Sequence, residues 1–161
     1  MEEYGILCTR TVNIIVDALK PGILGILALH SRPSFHLVVL SPYQEGDVFY
    51  NQPIAGPVEN YKRPYNEFAM KKATLSARTR QNTRDLLGRN PTMLLHGDII
   101  YTGGLYYHGV PIGGSGAPAE VDHAICTMVG TNLVAYCRMR VEAMQKAAAD
   151  GGPFVVTGQA C

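Results

Sequence analysis

The chain has 161 residues, 47% of them apolar and 17% charged, with a formal net charge of +1. That length and apolar content suit one globular domain with a real core, and the near-neutral charge gives no general case for nucleic-acid or membrane-surface binding. No apolar run reaches the roughly 18 residues a membrane span needs, and the acidic start Met1-Glu2-Glu3 does not read as a signal peptide. Cys8, Cys126, Cys137 and Cys161 show no CxxC spacing. Cys126 and Cys137 share one expected helix, about 16 Å apart at roughly 1.5 Å per residue, so they cannot bridge each other. Reduced thiols and a cytoplasmic protein are the expectation.

Ile6, Leu7, Val12, Ile15, Val16 and Leu19 recur at helical spacing and predict a first helix from about Gly5 to Leu19, stopped by Lys20-Pro21-Gly22. The apolar run Ile23–Leu29 reads as a buried strand. It pairs through a Ser31–Ser34 turn with a second strand, Phe35–Leu40. Residues 41–65 form an arm rich in proline (Pro42, Pro53, Pro57, Pro64) and tyrosine (Tyr43, Tyr50, Tyr61, Tyr65), with a short edge strand at Val48–Tyr50. Such a long connection either packs on its own domain or covers a partner, since tyrosine suits both. A second helix is expected from Asn66 to Leu87, capped by Gly88 with Pro91 beyond. Strands follow at Gly97–Tyr101, Leu105–Tyr107 and Val110–Ile112, the last two joined by a His108-Gly109 turn. A long helix then runs from Pro118 to Ala149, with Glu120 and Asp122 in its first turn where the helix dipole favours carboxylates. A short tail at 150–161 carries Pro153-Phe154-Val155-Val156, able to pair as an edge or dock on a neighbour. Strands grouped apart from helices favour an α+β domain with an antiparallel sheet, here of about five strands.

Chemistry-bearing residues concentrate between Gly103 and Cys126. The loop Gly113-Gly114-Ser115-Gly116-Ala117 invites comparison with a phosphate cradle, yet it lacks the lysine ending of a P-loop, and Glu120 and Asp122 would repel an anion. It also resembles a nucleophile elbow around Ser115. Asp122 and His123 are neighbours on a helix, however, and point about 100° apart, which defeats a triad. His123 and Cys126 fall three residues apart on one helix face, a thiol–imidazole pair suited to an iron porphyrin but too few ligands for a structural metal site. His108 sits at a turn beside Tyr106 and Tyr107. Between Lys62 and Arg89 lie eight basic residues, among them Lys72 and Arg78, against Glu67 and Asp85 alone. Most of these read as a solvated face, with one or two available to hold the carboxylates of an organic anion.

The stretch GGLYYHGVPIGGSGAPAEVDHAIC resembles the closing motif of the GlcG/HbpS-like family, which includes the PduO C-terminal-domain-like proteins. Paired glycines fall at Gly103-Gly104, a glycine turn at Gly109, the S-G-[AG] loop at Ser115-Gly116-Ala117 and the following aspartate at Asp122. Lys72-Ala73 and the exit Gly88-Arg89-Asn90-Pro91-Thr92 are similar to the family's K-A-x-T helix and its G-R-P-T turn. The resemblance implies a profilin-like single α+β domain over 1–161 with a central antiparallel sheet flanked by helices, symmetric homo-oligomers, and binding of heme or a related planar or organic-acid ligand. On that reading His108, Tyr107, His123 and Cys126 face the ligand, and Lys72 and Arg78 meet its carboxylates. Two other readings stand beside it. The tyrosine-rich arm suits a non-catalytic auxiliary subunit docked on a larger catalytic partner, such as a dioxygenase acting on phenolic compounds. Asp122 and His123 could instead serve as acid and base in a small enzyme, although nothing pairs them for that work.

Overall fold

A computed structural model describes residues 5–157. Its first helix, α1, covers Thr9–Leu29 and runs straight through Pro21 and Gly22. Proline removes one backbone donor, but Pro21 is exposed, and the turn before it carries an Asp17–Lys20 ion pair at 2.9 Å. The expected strand at Ile23–Leu29 is therefore the second half of this helix. Val12, Val16, Ile23 and Leu27 form its buried stripe, and a continuous apolar run had hidden that period. By length and composition α1 could also cross a membrane, with a mean hydropathy of 1.8 over an 18-residue window, a test that the core helix of a soluble protein passes equally. Cys8, just before α1, is disulfide-bonded and so departs from the expected reduced state, whereas Cys126 and Cys137 are free. Cys161 lies outside the described residues.

β1 (Phe35–Leu40) then pairs antiparallel with β2 (Val48–Ala55), which takes the place of the missing hairpin partner and turns about a third of the arm into an edge strand. All six β1 residues are buried because helices cover both faces of the sheet. Phe35, Leu37 and Val39 point into the main core under α1 and the last helix. Val38 and Leu40 point the other way, against Ala69 and Ala73 of α2 (Tyr65–Thr79).

The expected long second helix is two. α2 ends where Arg80 adopts a left-handed conformation (φ 55°, ψ 34°), and α3 occupies Thr83–Arg89. The break serves β3 (Gly104–Tyr107), an edge strand whose outward amides need partners. Thr83 Oγ1 accepts from the Gly104 amide at 2.9 Å and Asn82 Oδ1 from the Tyr106 amide at 3.0 Å. β4 (Val110–Ser115) runs between β3 and β1, so the sheet is antiparallel in the order β2-β1-β4-β3. The α+β architecture is as expected, with four strands among the described residues in place of about five. Gly97–Tyr101 is irregular rather than a strand, beginning at a turn where Gly97 has φ +89°. The tail's Phe154, Val155 and Val156 are exposed and unpaired with the sheet, while residues 158–161 lie outside the described region.

α4 spans Ala119–Ala149, about 46 Å at 1.5 Å per residue. Its fully buried residues end at Leu133, so its first half builds the core and its second half runs past the sheet. The glycine density around β4 is explained by these helices. A Cβ on Gly113 would lie 2.0 Å from the Ala69 carbonyl oxygen of α2, and one on Gly114 would lie 2.7 Å from Phe35 and 2.8 Å from the Cys126 sulfur. Gly116 (φ +137°) lies equally tight against the Ser34 carbonyl. What the glycine backbone approaches closely is the chain's own helices and the β1 approach.

Candidate functional site

Close packing of α2 on the glycines carries Lys72 beneath the surface, where an ammonium requires partners. Lys72 Nζ donates to the Gly114 carbonyl at 2.8 Å and to Asp122 Oδ2 at 2.9 Å, with both side chains almost fully buried. Room for the pair comes from Gly103 (φ +111°), where a Cβ would press on Asp122 at 2.8 Å and on Lys72 Nζ at 2.9 Å. Asp122 stands in the first turn of α4, and its Oδ1 accepts from the Ala117 amide at 2.9 Å, tying the β4–α4 loop to the start of the helix. Burial pushes the Asp122 carboxyl up to about 6, against the opposing pull of Lys72 and of the Ala117 hydrogen bond.

This pair forms the floor of a cavity of about 380 Å³. Arg32, Lys62 and Arg63 stand exposed around its mouth, and Tyr65, Phe68 and Tyr101 contribute aromatic walls. Ser115, Gly116, Ala117 and Ala119 close one side. Thr102 also lines it, and the Thr102 hydroxyl oxygen is buried with no hydrogen-bond partner. Four cations and one carboxylate surround the space, an arrangement that attracts an anion and then presents a nearly neutral ion pair at depth.

Of the residues singled out from sequence, Lys72, Asp122 and the Ser115–Ala117 loop meet in this cavity. The others are dispersed. His123 turns toward α3, among Arg84, Asp85 and Glu120, where burial lowers its basicity and Arg84 adds to the effect. Its Nδ1 is buried without a partner, and an Arg84–Glu120 ion pair lies beside it. Cys126 is in the core. Its thiol donates to the Gly103 carbonyl at 3.4 Å, and burial pushes its titration far up, so the helical spacing to His123 does not make a ligand pair facing open space. His108 is exposed at the β3–β4 turn with φ 48°, its ring 4.8 Å from that of Tyr107. Six residues of β4, roughly 20 Å at about 3.4 Å per residue, separate that turn from the cavity floor. Tyr107 packs on Gly130 of α4. Arg78 pairs with Asp98 and donates to the Met93 carbonyl, holding the 93–98 segment. No group of three metal-ligating side chains gathers among the described residues.

Nothing in the sequence connects the cavity mouth to its floor. Lys62 and Arg63 stood in the basic run and Tyr65 in the arm, and the signal that joins them is the start of α2 immediately after Pro64. Arg32, Phe68 and Tyr101 carried no signal of their own.

The tyrosines of the arm are used within the chain. Tyr43 OH accepts from the Leu7 amide at 3.0 Å, and Tyr50 is buried in the core. Tyr61 packs edge-on to His36, with its hydroxyl 3.2 Å from His36 Nδ1 and donating to the Phe35 carbonyl at 3.3 Å. His36 Nε2 lies 2.7 Å from Asn51 Oδ1. Burial lowers the His36 titration below the ordinary imidazole range.

No family model matches the sequence, and no curated protein matches it. Among solved structures the fold is similar to that of the Klebsiella pneumoniae protein ORFY, described by the family model DUF336, with 17% identity and a TM-score of 0.53. The match covers 74% of this chain and 88% of that one. DUF336 is the GlcG-like family, so the α+β fold of this chain is similar to that of a GlcG-like protein. The likeness is one of fold.

Proposed function

We propose that the chain is a small-molecule-binding module whose cavity accepts an organic anion through a carboxylate at the Arg32–Lys62–Arg63 mouth. The observation that carries this reading is the charge arrangement. Three exposed cations surround an opening whose single acidic group, Asp122, is matched by Lys72 at the floor. Guanidinium groups suit bidentate carboxylate recognition, and the volume lies in the range of small-molecule sites. Heme enters this reading as a planar carboxylate and not as an iron ligated by His108, His123 or Cys126, since those three lie outside the cavity lining. The family resemblance supports a symmetric assembly of identical chains. Ile14, Leu24 and Leu29 of α1 leave apolar surface exposed for a second copy to cover; molar mass in solution tests that part. An auxiliary subunit docked on a catalytic partner is the alternative reading; Tyr50, Tyr61 and Tyr65 of the arm pack on their own domain, and Tyr43 is exposed.

The test is a calorimetric titration with benzoate and acetate at low salt. Binding of either that weakens at least about tenfold in Arg63→Ala supports the reading, by the scale of a lost charge-assisted hydrogen bond. No binding of any carboxylate, or binding indifferent to Arg63, overturns it.

A further inference from the structure

Mouth and floor of the cavity differ chemically, and the difference specifies more than an anion. The mouth is exposed and cationic. The walls are Tyr65, Phe68 and Tyr101, with the Phe68 and Tyr101 rings 6.3 Å apart. The floor is buried and close to neutral: Lys72 uses two of its three ammonium hydrogens on Gly114 and Asp122, and Asp122 spends one lone pair on each of Ala117 and Lys72. One ammonium hydrogen and further carboxylate lone pairs stay open, beside the unpartnered Thr102 hydroxyl. A second carboxylate placed there would add net negative charge in a buried site next to Asp122, which is unfavourable. An uncharged hydroxyl can donate to Asp122 and accept from Lys72 or Thr102.

We propose that the ligand is an aromatic carboxylate bearing a hydroxyl at the end remote from the carboxylate, held by the cations at the mouth, packed against the aromatic side of the cavity, and hydrogen-bonded by its hydroxyl to the Lys72–Asp122 floor. This rests on the organic-anion reading above and adds the ring and the hydroxyl. The groups facing Asp122 are Lys72 from α2, the Ala117 amide and Cys126 thiol from its own segment, and Arg32 at longer range. With its carboxyl at about 6, Asp122 is an acceptor at pH 7.5 and gains a proton near pH 5. The discrimination against a dicarboxylate therefore relaxes on acidification.

The experiment titrates the full chain with benzoate, 4-hydroxybenzoate and terephthalate at pH 7.5 and at pH 5, with acetate as the reference anion. The proposal expects 4-hydroxybenzoate to bind at least about tenfold tighter than benzoate at pH 7.5, the size of a hydrogen bond to a charged group. It expects terephthalate to bind no tighter than benzoate at pH 7.5 and to gain on benzoate at pH 5. Equal affinity for benzoate and 4-hydroxybenzoate overturns the proposal while leaving the organic-anion reading intact, as does a preference for acetate over every aromatic acid. Tighter terephthalate binding at pH 7.5 also overturns it. Failure of all four anions to bind overturns both readings. Because the pH arm uses the unaltered protein, the result does not depend on a variant of a buried ion pair that must first fold.

Discussion

Lys72 and Asp122 are each too polar to be buried alone, and each makes the other tolerable. The balance between them is uneven, since burial raises Asp122 to about 6 even with the ammonium 2.9 Å away. Lys72→Met removes the opposing charge and leaves desolvation unchecked. The carboxyl should then titrate above 6 and be largely protonated at neutral pH, with a stability loss of about 3 kcal/mol, the lower end for breaking a buried pair, because the survivor can neutralise itself. Carbon-13 titration of the Asp122 carboxyl together with urea unfolding checks both parts; an unmoved carboxyl would contradict the pairing. Two titrations oppose each other in acid. Asp122 binds its proton more tightly folded than unfolded, so its contribution rises as pH falls from 6 toward 4. His36 is depressed below 6.5 by burial, so the unfolded chain takes up protons first and stability is lost as pH falls below 6.5. His36→Gln should flatten that acid loss between pH 7 and 5, though not abolish it, because His123 is depressed in the same direction. A variant as acid-sensitive as the parent would show that His36 is not the responsible group. Residue types were legible in sequence here: Lys72 and Asp122 both stood out. Their contact was not, because the two lie 50 positions apart and only packing brings them together.

At the scale of elements, the sheet's middle is built by leaving side chains out. Gly113 and Gly114 let α2 and α4 lie directly on β4, and that closeness is what carries Lys72 and Asp122 beneath the surface. Gly113→Ala places a methyl group 2.0 Å from a backbone carbonyl, which no rotamer change relieves. The helix must shift, and a loss of more than about 3 kcal/mol is expected, at the upper end of overpacking effects. Equilibrium urea unfolding measures it, and a loss under 1 kcal/mol would mean that α2 is free to move. Gly109→Ala, at the open turn, meets no atom within 4 Å and is strained by its φ of +91° alone, so its loss should be the smaller of the two. The glycine motif was conspicuous in the sequence, and a hairpin followed by a helix could be read from it. What the glycines approach could not, because a tight contact with a ligand and one with a helix leave the same compositional trace. α1 misled for a related reason: Pro21-Gly22 carries a stop signal whose local cost the buried stripe on either side overrides.

Across the whole molecule the cavity joins segments that are distant in the chain. Arg32 follows α1, residues 62–65 lead into α2, residues 101–102 precede β3, and residues 115–119 join β4 to α4. A ligand seated there contacts all of them at once and acts as a cross-brace between the two helical layers. Binding to the folded chain alone stabilises it by mass action, by about 2.7 kcal/mol at one hundred times the dissociation constant. With 4-hydroxybenzoate as the probe at that excess, the unfolding free energy should rise by about this amount. Amide hydrogen exchange should slow at 62–65, 101–102 and 115–117 together. The half of α4 beyond Leu133, which buries no residue fully, should be unchanged and serves as the internal control. Stabilisation accompanied by slowing at Tyr107 and His108 instead would place the ligand at the β3–β4 turn, where sequence alone had put two of the ligand residues. Slowing confined to one cavity segment would mean a surface contact rather than a shared floor and mouth. Joint slowing of all three segments requires a molecule long enough to reach from the exposed cations to the buried pair, and that reach distinguishes an aromatic acid from a free inorganic anion held at the mouth alone.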